Sequence, residues 1–156
     1  IINCTADNPF VDPIYIDKLY KYHIKQKNDF TKIDGLPWGV FSYAISHSAM
    51  KKACDIKSER DTEVWHGYFM ETGYFKWSAL NVNNLDIQWP DLRLTVDTPK
   101  DFELVSRIFD ELYDSGKVFP LKDIIQLCRN KPELPMINSS VIQKKGIPIN
   151  YKNIKE

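Results

Sequence analysis

Residues 94–105 read Leu94-Thr95-Val96-Asp97-Thr98-Pro99-Lys100-Asp101-Phe102-Glu103-Leu104-Val105. The segment from Leu92 to Val96 alternates apolar and polar side chains and has β-branched residues at its end, which is a strand pattern. Thr98 offers a hydroxyl at the N-cap, Pro99 suits the first helical position, and Asp101 stands where a capping box places its acid. Phe102, Val105, Ile108, Phe109 and Leu112 then recur at helical spacing as far as Ser115-Gly116. The stretch therefore encodes a strand, an acidic turn and a capped helix, with Asp97 at the junction.

The start of the chain repeats this arrangement. Ile1-Ile2-Asn3-Cys4-Thr5 is an apolar strand-like run, and Asp7-Asn8-Pro9 is a turn. Asp12 caps a helix that Pro13 begins and that runs to about Lys27. Ile16, Leu19, Tyr20 and Ile24 are its expected buried stripe, and Lys18, Lys21, Lys25 and Lys27 its solvated side. Between the two units, Asp34-Gly35 and Pro37-Trp38-Gly39 mark a loop, and Val40–Ile45 reads as a strand. Ser46 opens a helix to about Cys54, Thr62–Glu71 a second one, and Tyr74–Val82 is a further strand. Leu121–Arg129 is the last expected helix, and the Pro-, Asn- and Lys-rich chain from Pro132 reads as an extended tail. Residues 1–134 are thus expected to form one domain of α/β class, with 135–156 as its tail.

Composition narrows the function classes. The 156 residues carry 21 basic and 21 acidic side chains, a balance that argues against a dedicated nucleic-acid binder. A hydrophobic share of 43% with 27% charged residues is that of a globular chain. No apolar run reaches the roughly 20 residues that a membrane helix needs. Cys4, Cys54 and Cys128 are odd in number and widely spaced, which fits reduced core thiols better than disulfides or zinc. His23, His47 and His66 make no metal-ligand spacing with them.

Asp7 and Asp97 carry the chemistry-bearing pattern. Ligands of open α/β sheets bind beyond the carboxyl ends of the strands, and both acids are expected there. Two converging carboxylates suit Mg²⁺, which is held by one or two carboxylates plus substrate phosphates and water. Taken singly, Asp7 reads as a turn former and Asp97 as a partner of a helix dipole. The residue types alone specify neither metal nor reaction.

The segment from Leu94 to Val105 closely resembles one near the end of cytidylyltransferases of the CMP-KDO synthetase, acylneuraminate cytidylyltransferase and spore coat polysaccharide biosynthesis types. Thr5-Ala6-Asp7-Asn8-Pro9-Phe10-Val11-Asp12-Pro13 and Gly39-Val40-Phe41-Ser42-Tyr43 are similar to earlier parts of the same family, in the same order. The resemblance implies a three-layer, Rossmann-like nucleotide-diphospho-sugar transferase fold. It implies transfer of CMP from CTP to a sugar acid, with release of pyrophosphate and with Mg²⁺ as cofactor. Asp7 and Asp97 match the family's metal carboxylates, and Tyr43 and Glu63 match positions near the sugar. Trp38 departs from the family, replacing a polar loop residue, and the stretch around Glu63 lacks the histidine pattern of spore-coat-type members.

Nothing in residues 1–156 resembles the opening strand and basic phosphate loop with which the family begins, and that portion is expected to precede Ile1. The resemblance is therefore to the C-terminal portion of such an enzyme, expected to be inactive alone, cytoplasmic, and self-associating or dimeric. A non-catalytic binding or assembly module built on the same fold, or a nucleotidyltransferase using another nucleotide, are the alternatives.

Overall fold

The computed structural model describes residues 1–59, 65–143 and 148–152. Its first units are β1 (Ile2–Asn3), α1 (Pro13–Gln26), β2 (Phe30–Asp34), β3 (Tyr43–Ile45) and α2 (His47–Ile56). They are followed by α3 (Gly67–Glu71), β4 (Trp77–Asn81), α4 (Pro99–Leu112), α5 (Leu121–Asn130) and α6 (Glu133–Met136). The sheet order is β1-β3-β2-β4. Strand β3 runs antiparallel to both β1 and β2, whereas β4 pairs parallel with β2, from Phe30 opposite Trp77 to Asp34 opposite Asn81.

Strand β2 has no counterpart in the sequence reading, yet it pairs on both sides at the centre of the sheet. Its alternation explains its place. Phe30 joins a core with Ile45 of β3 and with Ala53, Ile56 and Phe69 of the α2–α3 layer. Ile33 joins the larger core with Leu94 and with Leu19, Leu104, Ile108 and Ile124 of the layer of α1, α4 and α5. Helices thus cover both faces of a mixed sheet, and the expected three-layer α/β architecture is what the chain adopts.

Helix α1 begins as expected: the Asp12 side chain accepts from the Ile14 N–H at 2.8 Å. Its buried stripe differs. Tyr15, Leu19 and His23 face inward, while Tyr20 and Ile24 are more than half exposed. Asp12 supplies a reason. Its second oxygen accepts the Leu121 N–H at 3.1 Å, which pins the start of α1 to the start of α5 and fixes which face turns inward. His23 is then buried, with Nδ1 2.9 Å from the Thr31 hydroxyl, and Asn28 bonds both Thr31 and Ser78.

Burial lowers the His23 pKa, opposed by Asp29. A folded-state pKa below the unfolded value near 6.5 means that the unfolded chain binds more protons in that interval. Stability should therefore fall as pH drops below about 6.5. Urea midpoints measured between pH 7.5 and 5 should show this slope, and a His23→Leu variant should flatten it; an unchanged slope in the variant would remove His23 as its source.

Three other expectations change. Leu92–Val96 is extended but forms no regular strand, because its partners are two separate loops. Trp38 N–H donates to Leu92 O at 2.8 Å, Leu94 N–H to Trp38 O at 2.7 Å, and Val96 N–H to Asp7 O at 2.9 Å. The tail is not simply extended: α6 forms a turn of helix, and Asn138 beyond it is buried. Of the cysteines only Cys128 lies in the core; Cys4 and Cys54 are exposed, and all three are free thiols.

Candidate functional site

The loop after β2 and the extended segment before α4 create the site together. Gly39 (φ +91°) packs directly on Thr95, where a Cβ would fall 2.3 Å from the Thr95 nitrogen, so only glycine allows the approach. Thr95 also donates its hydroxyl to Asp7 O at 3.3 Å. These contacts draw the Asp7 turn, the Trp38–Gly39 loop and Asp97 around one cavity of about 670 Å³.

The cavity lining includes a polar set, Asp7, Asn8, Arg93, Thr95, Asp97 and Thr98, and an aromatic set, Trp38, Phe41, Tyr43, Trp65 and His66. Val141, Ile142 and Gln143 of the tail complete the lining.

The structure therefore brings together three of the four residues singled out from the sequence: Asp7, Asp97 and Tyr43. Glu63 lies outside the described residues. Asp7 sits in a turn closed by the Asn8 N–H on Thr5 O at 3.1 Å and by the Asn8 side chain on the Thr5 hydroxyl at 2.8 Å. Its carboxylate is exposed and has no partner among the described residues. Asp97 is half exposed and accepts on Oδ2 from Arg93 Nη2 at 2.5 Å. Because the residue before Asp97 hydrogen-bonds the Asp7 carbonyl, the two acids emerge from adjacent backbone.

Tyr43 forms part of a ring cluster, 5.4 Å from Phe30, 5.8 Å from Phe41 and 5.5 Å from Trp65. Burial, and then the Asp34 charge, push its phenol up to about 12. It is a neutral hydrogen-bonding group at any physiological pH. His66 stacks on Tyr43 at 5.9 Å, and burial lowers its pKa below the ordinary histidine value, against the pull of Glu71. In the sequence His66 shows only that it has no metal-ligand spacing; its place on the cavity wall follows from its stacking on Tyr43 of β3.

The site residue that sequence reasoning missed most completely is Arg93. Only 11% of its side chain is exposed, and it bridges Asp97 and the fully buried Asp101. Asp101 completes the capping box with Thr98 as expected. Burial would raise its pKa, but bonds from Arg93, Asn138, Thr98 and the Asp97 backbone outweigh that and hold it at about 2.

The donor set fits a divalent cation shared with a ligand. Among the described residues no three His, Cys, Asp or Glu side chains cluster tightly enough to enclose a metal. Two carboxylates facing a solvent-connected cavity are the protein complement that Mg²⁺ takes when substrate phosphates and water fill the rest.

The fold is a three-layer α/β sandwich on a mixed sheet, with a cavity that holds Asp7 and Asp97 beside it. Its relatives narrow this. No family model matches the chain. It is 28% identical over 158 residues to an uncharacterized protein of Methanocaldococcus jannaschii, covering 100% of this chain and 62% of that protein. It is 28% identical over 134 residues to the spore coat polysaccharide biosynthesis protein SpsF of Bacillus subtilis, covering 83% of this chain and 55% of that protein. A cytidylyltransferase structure from Leptospira borgpetersenii superposes with a TM-score of 0.73 at 19% identity, over 86% of this chain and 57% of that one. The chain has the cytidylyltransferase fold and a sequence relationship to a spore coat polysaccharide biosynthesis protein, so the resemblance carried by the Asp97 segment stands. It spans little more than half the length of these relatives.

Proposed function

We propose that this chain supplies the two-carboxylate side of a cytidylyltransferase site that transfers CMP from CTP to a sugar acid in cell-surface polysaccharide synthesis. The observation that carries the proposal is the convergence of Asp7 and Asp97 on one cavity, joined through the Val96–Asp7 hydrogen bond. The SpsF match and the cytidylyltransferase fold support the reaction class.

The acceptor hydroxyl oxygen forms a new bond to the α-phosphorus, the bond from that phosphorus to the bridging oxygen breaks, and pyrophosphate leaves with the electron pair. The hydroxyl proton passes to solvent. Such a reaction needs no protein nucleophile; positioning and charge neutralisation carry it. A Mg²⁺ ion bound by Asp7 and Asp97 would supply that neutralisation. Tyr43 offers its neutral hydroxyl to a sugar oxygen, and the rings of Trp38 and Trp65 shape the acceptor's side of the cavity. Glu63 is carried as a second sugar contact. A cytoplasmic homodimer is part of the same proposal, and among the described residues no helix is long and apolar enough to cross a membrane.

The test is pyrophosphate release by the full product of the gene that encodes this chain, with Mg²⁺, a panel of 2-keto sugar acids, and CTP, UTP or GTP. We expect turnover with CTP and one sugar acid. Turnover with UTP or GTP but not CTP would replace the nucleotide assignment. Absence of turnover, together with no CTP binding by calorimetry, would leave the non-catalytic module as the reading.

A further inference from the structure

Arg93 is held far more firmly than its bond to the half-exposed Asp97 requires. Its Nε donates to Asp101 Oδ1 at 2.9 Å and its Nη2 to Asp101 Oδ2 at 3.1 Å, a fork of two parallel bonds. Asp101 has no exposed side-chain surface. It is fixed in turn by Asn138 Nδ2 at 2.8 Å, the Thr98 hydroxyl at 2.9 Å and the Thr98 N–H at 2.9 Å. Gln143 takes the remaining guanidinium nitrogen, Nη1. The guanidinium is thus locked in place before it meets Asp97, to which it gives a single bond on Oδ2. The Asp97 backbone is tied to the same hub, its N–H donating to Asp101 Oδ2 at 3.2 Å. Asp97 Oδ1 accepts no hydrogen bond among the described residues.

This asymmetry decides what Arg93 does. A half-exposed aspartate ordinarily samples several rotamers, and freezing it at the moment of binding costs entropy. A fork anchored on a buried acid removes that freedom in advance. We propose that Arg93 is a positioning residue for Asp97: it grips Oδ2, holds the carboxylate at one rotamer, and leaves Oδ1 as the oxygen that takes a divalent cation. The inference rests on the two-carboxylate reading of the cavity given above.

Positioning and simple electrostatics predict opposite signs. A guanidinium next to a cation site repels the cation, so if Arg93 were only a neighbouring charge, its loss would tighten metal binding. If it positions Asp97, its loss weakens binding. Partners of metal ligands typically matter by about 10–100-fold in affinity.

Removing Arg93 alone would strand the buried Asp101 charge and unfold part of the population. The informative variant is the pair Arg93→Met with Asp101→Asn, which removes one charge of each sign and keeps the volume. Arg93→Lys is its companion, because lysine keeps the charge and loses the fork. The measurement is Mn²⁺ affinity by electron paramagnetic resonance, in the presence of CTP, on the full gene product, with melting temperature followed in parallel. Weakening of Mn²⁺ binding by about tenfold or more in both variants, with melting within a few degrees of the parent, is the expected result. Unchanged or tighter binding in a folded double variant would overturn the positioning role while leaving the two-carboxylate reading intact. Failure of the unaltered protein to bind Mn²⁺ with CTP would overturn both.

Discussion

Asp101→Ala should be the most destabilising exchange of a polar residue near the site. The substitution leaves the Arg93 guanidinium without the partner that takes two of its bonds, in a side chain only 11% exposed. It also removes the acid of the capping box and the acceptor of Asn138. Breaking a buried ion pair by deleting one partner costs roughly 3–5 kcal/mol, a large part of the roughly 5–15 kcal/mol that stabilises a typical domain. Urea unfolding of the variant should show a correspondingly lower midpoint with an unchanged slope. A loss under 1 kcal/mol would mean that the pair behaves as a surface bridge.

The same residue sets an acid limit. Asp101 is held at about 2, below the ordinary carboxylate value of 3.8. The unfolded chain therefore binds the extra proton first as pH falls. Its contribution, about 2 kcal/mol, is fully present above pH 4 and is lost as pH falls from about 4 toward 2.

Local chemistry was legible from the sequence and long-range pairing was not. Thr98, Pro99 and Asp101 announce α4 because a capping box needs only residues within one turn, and Asp12 with Pro13 announces α1 for the same reason. Strand β2 went unread because Phe30-Thr31-Lys32-Ile33-Asp34 follows a helix-ending Asn28-Asp29 and carries two charges. Those charges are tolerated because Lys32 and Asp34 pair with each other at 3.0 Å. The Asp12 side chain was legible as a cap, but its second bond, to Leu121, joins positions 109 apart and rotates α1 away from the expected stripe.

The site shows the same division. Asp7 and Asp97 were visible because each directly follows an extended run. Arg93 was not, since its role depends on Asn138 and Gln143 returning from a tail that reads as unstructured. Of the aromatic lining, Tyr43 and Trp38 were visible as single residues, but their neighbours Phe41, Trp65 and His66 were not. Which rings meet, and that His66 joins them, is decided by the Trp65–His66 segment packing on Tyr43 of β3.

The largest functional effects are expected at Asp7 and Asp97. Both side chains are solvent-accessible, and neither belongs to the hydrophobic core. Asp97 gives up one partly exposed ion pair on replacement, worth about 0–1 kcal/mol, and Asp7 gives up none among the described residues. Alanine at either position should therefore leave melting nearly unchanged. Activity should respond differently. Cation neutralisation of a phosphoryl transition state is worth several kcal/mol, and each 1.36 kcal/mol is tenfold in rate, so either variant of the full gene product should lose about 100-fold or more in kcat/KM for CTP. On the proposed reading the two carboxylates act as a unit on one ion, so the Asp7→Ala, Asp97→Ala double variant should be little worse than the poorer single one. Mg²⁺ titrations should separate the sites from a fold defect: the half-saturating Mg²⁺ concentration rises in each single variant while melting stays put. A single variant within threefold of the parent would remove that carboxylate from the site, and losses that multiply in the double variant would mean that Asp7 and Asp97 serve two separate steps.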